Sequence, residues 1–417
     1  MKQGQLQQSD IEALNDKRIS RALVAPHVVL TMQYLILSSM SLFGTTIGSS
    51  IQLSSKVVVG IFFAHALPAV IRRKKTRFIG TYLLWLFVFL LHYLLFPQNR
   101  IYQRELAFQF FVTCLPMFVY ASAVHDWQVL EGIMLQASYL ILALGMLLGL
   151  MVFYGKASVG SYSMPLGYYL LLPAVMFIKQ FFHMASFKNG LLALVSFFLI
   201  LALGSRGPIM CICVFILLRI LRPWRRLRYG EVISYLSVAT LVMVLAIWSD
   251  EVLVHVQDLL LRLGLRSRSI SLFLAPGVHL SGRERLYSEV IASIIEHPLV
   301  GTGIGGDRYI LGGSYVHSIF LEILAHYGVI IGMIVIVGIL VLLLQFCFTR
   351  NKQEYDMFTV WLSIGFIPLL VSSSYLTNTA FWVFAGLITR RIKHGYLRRK
   401  LNNAHLSQLC CIADSMG

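Results

Sequence analysis

Residues 317–347 read HSIFLEILAHYGVIIGMIVIVGILVLLLQFC and contain one carboxylate, Glu322, and no lysine or arginine. About 20 consecutive apolar residues suffice for a helix to cross the hydrocarbon core of a bilayer. Because lipid offers the backbone no hydrogen-bond partner, a spanning segment must be a helix or part of a closed barrel. This stretch therefore predicts a transmembrane helix.

Apolar runs of the same kind recur along the chain. They lie at 28–46, 57–71, 78–96, 107–122, 132–154, 165–183, 190–204, 207–221, 231–249, 357–372 and 376–389. None shows the period-two alternation that is typical of a barrel strand. Of the 417 residues, 58% are hydrophobic and 13% are charged, whereas soluble domains carry about 25% charged residues. The sequence thus predicts an all-α, polytopic membrane protein of about 12 transmembrane helices and excludes a soluble globule.

The formal net charge of +17 indicates orientation in the membrane. With the N-terminus in the cytoplasm, most lysines and arginines fall on cytoplasmic segments beside helix ends, as the positive-inside bias requires. The basic residues are dispersed over short loops, which argues against nucleic acid as a partner. The chain then divides into a cytoplasmic N-terminal segment (1–27), transmembrane helices 1–9 (28–249), an external loop (250–316), transmembrane helices 10–12 (317–389) and a basic cytoplasmic tail (390–417).

The predicted external loop has internal structure. Residues 251–263 show an amphipathic helical pattern. A second helix is marked by a capping box of Ser281 and Glu284 and ends before Pro298, because the residue before proline avoids the α region. A plain linker between spans would not need two helices, so we interpret the loop as a lid over a site.

Three residues at the outer face are candidates for chemistry. Arg206 can bind a phosphate or diphosphate bidentately, although an arginine there can also snorkel to lipid headgroups. Arg283 begins the second loop helix, where a cation opposes the macrodipole, so a ligand role is favoured. His317 suits proton abstraction from a sugar hydroxyl, or is an interfacial histidine bonded to water or backbone. Glu322 is an intramembrane carboxylate and a possible supporting residue, alternatively paired with His326 as a structural bond.

The glycine-rich stretch Gly301–Gly306 offers further possible supporting residues. Gly303 and Gly305 are expected to help form an anion-binding nest, and the role of Arg308 stays open. The outer loops hold no D-x-D pair and no His/Cys ligand cluster, so neither a metal nor a cofactor is expected.

These residues together resemble the bacterial O-antigen polymerase and O-antigen ligase superfamily. The resemblance covers about 200–345 and is carried by the ordered segments Ser205-Arg206-Gly207, Gly282-Arg283, Glu296-His297-Pro298-Leu-Val-Gly301-Thr-Gly303-Ile-Gly305, His317-Ser318 with Glu322, and Gly328. The family more often has His-Asn where this chain has His317-Ser318. The run Gly305-Gly306-Asp307-Arg308 and Leu321-Glu322-Ile323 look more like a polysaccharide polymerase than a ligase.

The resemblance implies a GT-C-like, metal-independent, inverting glycosyltransferase in the bacterial cytoplasmic membrane, with its active site on the periplasmic face. Its substrate would be an undecaprenyl-diphosphate-linked oligosaccharide polymerised into O-antigen, capsule or exopolysaccharide, with membrane lipid and a chain-length regulator as possible partners. Arg206 and Arg283 would bind the diphosphate, and His317 would be the base. Alternatives are an O-antigen ligase acting on a lipid A-core acceptor, a lipid-linked sugar flippase, and a peptidoglycan-type polymerase using a carboxylate such as Asp307.

Overall fold

The computed structural model of this chain describes residues 2–154, 164–203, 206–221, 232–233, 237, 249–262, 283–347, 349 and 351–389. The main helices are α1 Lys2–Ser39, α2 Thr46–Leu95, α3 Arg100–Gln109, α4 Leu115–Ala123, α5 Trp127–Phe153, α6 Met164–Met184, α7 Phe187–Leu203, α8 Arg206–Ile220, α9 Ser249–Arg262, α10 Arg283–Glu296, α11 Gly306–Ile310, α12 Ile319–Cys347, α13 Lys352–Trp361 and α14 Thr379–Thr389. Short 3-10 or π turns extend α3, α4 and α13. The described part contains no strand, so the all-α class is confirmed.

Six helices among the described residues are long and apolar enough to cross a bilayer. They are Asp10–Ser39, Thr46–Leu95, Pro97–Ala123, Trp127–Met151, Pro165–Met184 and Ile319–Cys347. Three shorter apolar helices, Phe187–Ala202, Gly207–Ile220 and Thr379–Thr389, coincide with further predicted spans. The chain is therefore a multi-pass membrane protein. The count of about 12 helices stays a prediction, and nearly all of the expected span 231–249 lies outside the described residues.

Two predicted spans, 57–71 and 78–96, belong to one helical element. Helix α2 is interrupted at Lys74, whose backbone is non-helical (φ −144°, ψ 36°). Before this break, Phe63 packs on Tyr120 of α4. Beyond the break, Arg77 lies over the ring of Phe118, which also belongs to α4. The parts of α2 before and after Lys74 thus both contact α4. At about 1.5 Å per residue, each part is long enough to span the bilayer.

The predicted cytoplasmic segment 1–27 is not a separate segment. Helix α1 starts at Lys2 and continues without interruption to Ser39. The side chains of Ile19, Leu23 and Val24 are buried in the main core, because α1 packs along α2 and α5. The polar start of the chain is therefore the first part of the first helix, and its cytoplasmic location stays a prediction.

Charged clusters gather at the helix ends that lie away from the external loop. Arg73 Nη1 donates to Asp16 Oδ1 at 2.8 Å, beside the break in α2. Arg219, at the end of α8, pairs with Asp356 of α13, which also bonds His183 Nε2 at 3.1 Å. Pairing compensates the cost of burying these charges in an apolar bundle. Their common end is consistent with a cytoplasmic face, and that orientation stays a prediction.

The loop that the sequence predicts to be external contains both expected helices. Helix α9 covers Ser249–Arg262 and α10 covers Arg283–Glu296, while the cap residue Ser281 lies outside the described residues. On α10, Val290 and Ile294 are buried in a small core with Val316 and Ala325. Through this core, α10 packs against the N-terminal part of α12.

Candidate functional site

The glycine-rich stretch docks between α12 and the outer end of α2. Thr302 N donates to Ala325 O at 2.7 Å, and Ile304 N donates to His92 Nδ1 at 3.0 Å. The side-chain amide of Gln103 donates to Ile304 O at 3.0 Å. These bonds place α11 directly beside the first turns of α12.

Gly303 and Gly305 lie in tight contact with neighbouring side chains, and their part in an anion-binding nest stays a prediction. A Cβ at Gly303 would meet the ring of Phe96 at 2.3 Å, and one at Gly305 would touch Tyr102. Both glycines have positive φ, which a glycine adopts without strain. The backbone N–H groups of Gly301, Thr302, Ile304 and Gly306 all donate to protein acceptors. The glycines therefore serve close packing.

A buried hydrogen-bonded array lies under this loop. His326 Nε2 and Asp307 Oδ1 are 2.9 Å apart, and His326 Nδ1 lies 2.8 Å from the hydroxyl of Tyr375. That hydroxyl donates to the hydroxyl of Tyr327 at 3.2 Å. Burial on its own raises the pKa of Asp307, but the hydrogen bond and charge of His326 and the charge of Arg308 hold it below its ordinary value. Asp307 is fully buried and so is not exposed to act as the base of a peptidoglycan-type polymerase.

Glu322 is fully buried and does not pair with His326. Its carboxylate accepts from the hydroxyl of Ser374 and from Tyr375 N at 3.2 Å. The alternative of an i, i+4 bond within α12 was therefore wrong. Glu322 instead fixes the loop between α13 and α14 against the start of α12.

His317 lies two residues before α12, because the helix starts slightly later than the predicted span 317–347. Its φ is 58°, a left-handed conformation that is uncommon for a residue other than glycine. The imidazole lies against the ring of Tyr315, with centroids 4.1 Å apart. Burial and then the charge of Arg283 lower its pKa, although the Ser372 backbone and Asp307 act in the opposite sense. A lowered pKa keeps the imidazole neutral near pH 7, the form that accepts a proton.

The loop residue Ser372 connects His317 with the start of α8. Tyr315 donates its hydroxyl hydrogen to Ser372 O at 2.8 Å, and the Ser372 hydroxyl bonds that of Tyr168. A Cβ at Gly207 would lie 2.2 Å from the Tyr168 hydroxyl and 3.6 Å from Ser372 Oγ. Helix α8 begins at Arg206, so its N-terminal backbone is beside the Tyr315–His317 pair.

Two of the three predicted site residues, Arg283 and His317, lie near each other, and the start of α8 lies close to them. Arg283 begins α10 and is close enough to lower the pKa of His317, while the backbone of Arg206 approaches through Gly207. Arg308 follows Asp307 on α11 and lies over the Tyr315 ring at 5.8 Å. Sequence reasoning missed Tyr168, Tyr315, Ser372 and Tyr375, since polar residues at span ends carry no periodic signal.

A metal could in principle use Asp307, Glu322 and His326, whose ligand atoms all lie within 4.8 Å of one another. The sequence argument did not find this group, because Asp307 is distant in the chain from the other two. Asp307 and His326 already bond each other, and Glu322 bonds Ser374. We therefore interpret the group as a hydrogen-bonded array.

An apolar groove of about 280 Å³ adjoins the array. It opens between the second arm of α2, the helix α12 and the start of α14. Its lining consists of Leu84, Trp85, Val88, Ile319, Ile323, Tyr327, Ile331, Val335, Ile339, Tyr375, Phe381 and Trp382. A hydrocarbon chain fits such a surface.

No curated protein and no solved structure matches this chain with statistical significance. A family model described as O-Antigen ligase matches residues 191–337, about a third of the chain. The matched segment contains Arg206, Arg283, His317 and Glu322, whereas Tyr168, Ser372 and Tyr375 come from outside it. The match confirms the resemblance to the O-antigen polymerase and ligase superfamily that the sequence indicated.

Proposed function

We propose that this chain is a membrane glycosyltransferase that polymerises undecaprenyl-diphosphate-linked oligosaccharide repeat units on the periplasmic face of the bacterial cytoplasmic membrane. The observation that carries the proposal is the meeting of His317, the charge of Arg283 and the N-terminus of α8 around Tyr315 and Ser372. A neutral imidazole and two arginines are the groups that glycosyl transfer from a diphosphate needs.

In the proposed step, neutral His317 takes the proton of an acceptor hydroxyl. The hydroxyl oxygen attacks the anomeric carbon in line, and the carbon–oxygen bond to the diphosphate breaks. The diphosphate leaves with the electron pair, and its charge is stabilised by Arg206 and Arg283. The dipole at the start of α8 favours the same anion. Inversion at the anomeric centre follows from the single displacement, and no metal takes part.

The polyprenyl chain of the donor would lie in the apolar groove beside α12. The groove reaches Tyr327 and Tyr375, and Tyr375 is bonded to the array under the site. A lipid in the groove would therefore present its diphosphate near the outer end of α12.

Polymerase is favoured over ligase by the Gly305-Gly306-Asp307-Arg308 run and by Leu321-Glu322-Ile323. The ligase remains the second candidate, because the family model that matches is described as O-Antigen ligase. A flippase is the candidate from another class. A chain-length regulator is a further expected partner of the polymerase.

The test uses purified protein, an undecaprenyl-diphosphate-linked repeat unit and a chelator, with product length followed on a gel. We expect a ladder of longer lipid-linked glycans. His317→Ala and Arg206→Ala should abolish the ladder at wild-type expression. Arg285→Ala is the matched control, since this arginine is exposed on α10 and should leave the ladder unchanged.

Other outcomes would identify another function. Transfer to a lipid A-core acceptor without a ladder would make the chain a ligase. Movement of the lipid across vesicles without a new glycosidic bond would make it a flippase. A ladder that persists in His317→Ala would exclude His317 as the base.

A further inference from the structure

Arg308 is a buried cation that forms no ion pair with any carboxylate in the described part of the chain. Its side chain lies on α11 and is 8% exposed. In the part of the chain that the structure describes, its Nη1 atom is buried and has no hydrogen-bond partner. No carboxylate of these residues forms an ion pair with it. An arginine in this state is costly, because desolvation of a charge is offset only by a paired anion or by hydrogen bonds.

The nearby carboxylates are already engaged. Asp307 uses one oxygen for His326 at 2.9 Å and the other for Val316 N at 3.4 Å. Glu322 accepts from Ser374 and Tyr375. Both carboxylates act on Arg308 through space without contacting it. Nη1 of the Arg308 guanidinium is therefore available to a further anion.

The unpartnered atoms of Arg308 and His317 belong to the same small region. Arg308 Cζ lies 5.8 Å from the centroid of the Tyr315 ring, and the imidazole of His317 lies 4.1 Å from it. Among the described residues, His317 Nδ1 is likewise buried without a partner. Two unsatisfied nitrogen groups around one aromatic ring indicate that a polar ligand completes this region.

We propose that Arg308 binds an oxyanion of the substrate, bidentately, beside the nitrogen of His317. The planar fork of arginine matches phosphate and carboxylate oxygens. The ligand is either a phosphate of the lipid-linked donor or the carboxylate of an acidic sugar. This inference rests on the proposed function and adds a third cation to Arg206 and Arg283.

The experiment measures binding without turnover, so that it is independent of polymerisation. Farnesyl diphosphate and glucuronate serve as separate probes for the full-length protein in detergent. Arg308→Gln should weaken binding of one probe at least tenfold, and Arg308→Lys, which keeps the charge but loses the fork, should weaken it less. Arg285→Gln is the control and should bind both probes as the wild type does.

The two probes distinguish the sources of the oxyanion. Weaker binding of farnesyl diphosphate alone assigns Arg308 to the donor diphosphate, and weaker binding of glucuronate alone assigns it to an acidic sugar. Unchanged binding of both probes in a folded Arg308→Gln protein would refute the proposal. If Arg308→Gln does not fold, the same comparison is made with Arg308→Lys, and unchanged affinity there also refutes it.

The experiment distinguishes failure of this inference from failure of the proposed function. A wild-type protein that forms no polymer but binds an oxyanion through Arg308 would overturn the polymerase and keep this inference. If Arg308→Gln polymerises normally and binds both probes with unchanged affinity, the polymerase stands and this inference is refuted.

Discussion

His317 has a backbone conformation that the surrounding residues must hold in place. Its φ of 58° is strained for a residue with a Cβ, and such strain collects at functional sites. The preceding residue, Val316, is buried, and its N–H lies 3.4 Å from Asp307 Oδ2. Asp307 is in turn bonded to His326 of α12. The array below the site therefore helps to fix the direction of the imidazole.

The pH dependence of activity should report the charges around His317. Burial and the charge of Arg283 lower the pKa of His317 below its ordinary value of 6.5. The neutral, proton-accepting imidazole therefore persists below pH 6.5. Activity is lost as the pH falls through the lowered pKa. Arg283→Gln removes a cation, so the pKa rises and the acid limb moves to higher pH. Normalised initial rates between about pH 4.5 and 8 measure this shift. An unshifted limb would show that Arg283 does not act on the titrating group.

Tyr375→Phe should destabilise the fold from within the array. The hydroxyl of Tyr375 is 2.8 Å from His326 Nδ1 and 3.2 Å from the Tyr327 hydroxyl, and its loss leaves a buried polar group unsatisfied at a cost of about 1–3 kcal/mol. The midpoint of thermal unfolding in detergent should fall. Tyr309→Phe, at an exposed tyrosine, is the control and should leave the midpoint unchanged. Equal midpoints for Tyr375→Phe and wild type would contradict a structural role of this bond.

At the scale of elements, the break in α12 joins the membrane helix to the external loop. Gly328 has φ 72° and ψ 178°, and Val329 N donates to Pro298 O at 2.6 Å. A Cβ at Gly328 would lie 2.4 Å from Leu299 O. Because that atom is backbone, it cannot move aside as a flexible side chain would. The loop and the first turns of α12 therefore fold as one unit.

Gly328→Ala should accordingly damage both stability and activity. A positive φ with ψ near 180° is essentially restricted to glycine and costs about 1–3 kcal/mol for a residue with a Cβ, and the contact with Leu299 adds to this. Gly338→Ala is a matched control in the same helix, because a Cβ there meets no atom within 4 Å. Folded yield and unfolding midpoint in detergent measure the difference. Similar values for the two variants would show that the break tolerates a side chain.

At the scale of the whole molecule, the charged clusters and the candidate site lie at opposite ends of the bundle. Arg73 with Asp16 and Arg219 with Asp356 gather near the α2 break and the start of α13. The external loop docks instead at the outer end of α2, through His92. This separation agrees with the positive-inside distribution of the basic residues.

The orientation can be tested by cysteine labelling. In a chain whose six native cysteines are replaced by serine, Tyr309→Cys should react with a membrane-impermeant maleimide in spheroplasts. Lys352→Cys should react only after permeabilisation. Both positions are exposed on the protein surface, so the difference reports the side of the membrane. The opposite pattern would invert the topology and place the site in the cytoplasm.

The sequence by itself determined the helical membrane class and the two loop helices, and it supplied Arg206, Arg283 and His317 as the proposed site residues. These follow from hydropathy, capping and residue chemistry, which act over a few neighbouring positions. Sequence also misjudged the Glu322–His326 pair, because the partners of Glu322 come from the loop before α14, which packs against the start of α12.

Only the tertiary structure decided the array of Asp307, His326 and Tyr375 and the burial of Arg308 without an ion pair among the described residues. The bonds involved join distant parts of the chain, such as His326 to Tyr375 across 49 positions and Gln103 to Ile304 across 201. No local pattern encodes such pairs, because they form only when apolar helices pack and bring their polar ends to one face. Whether a charge is neutralised or left open to a ligand is therefore settled by packing.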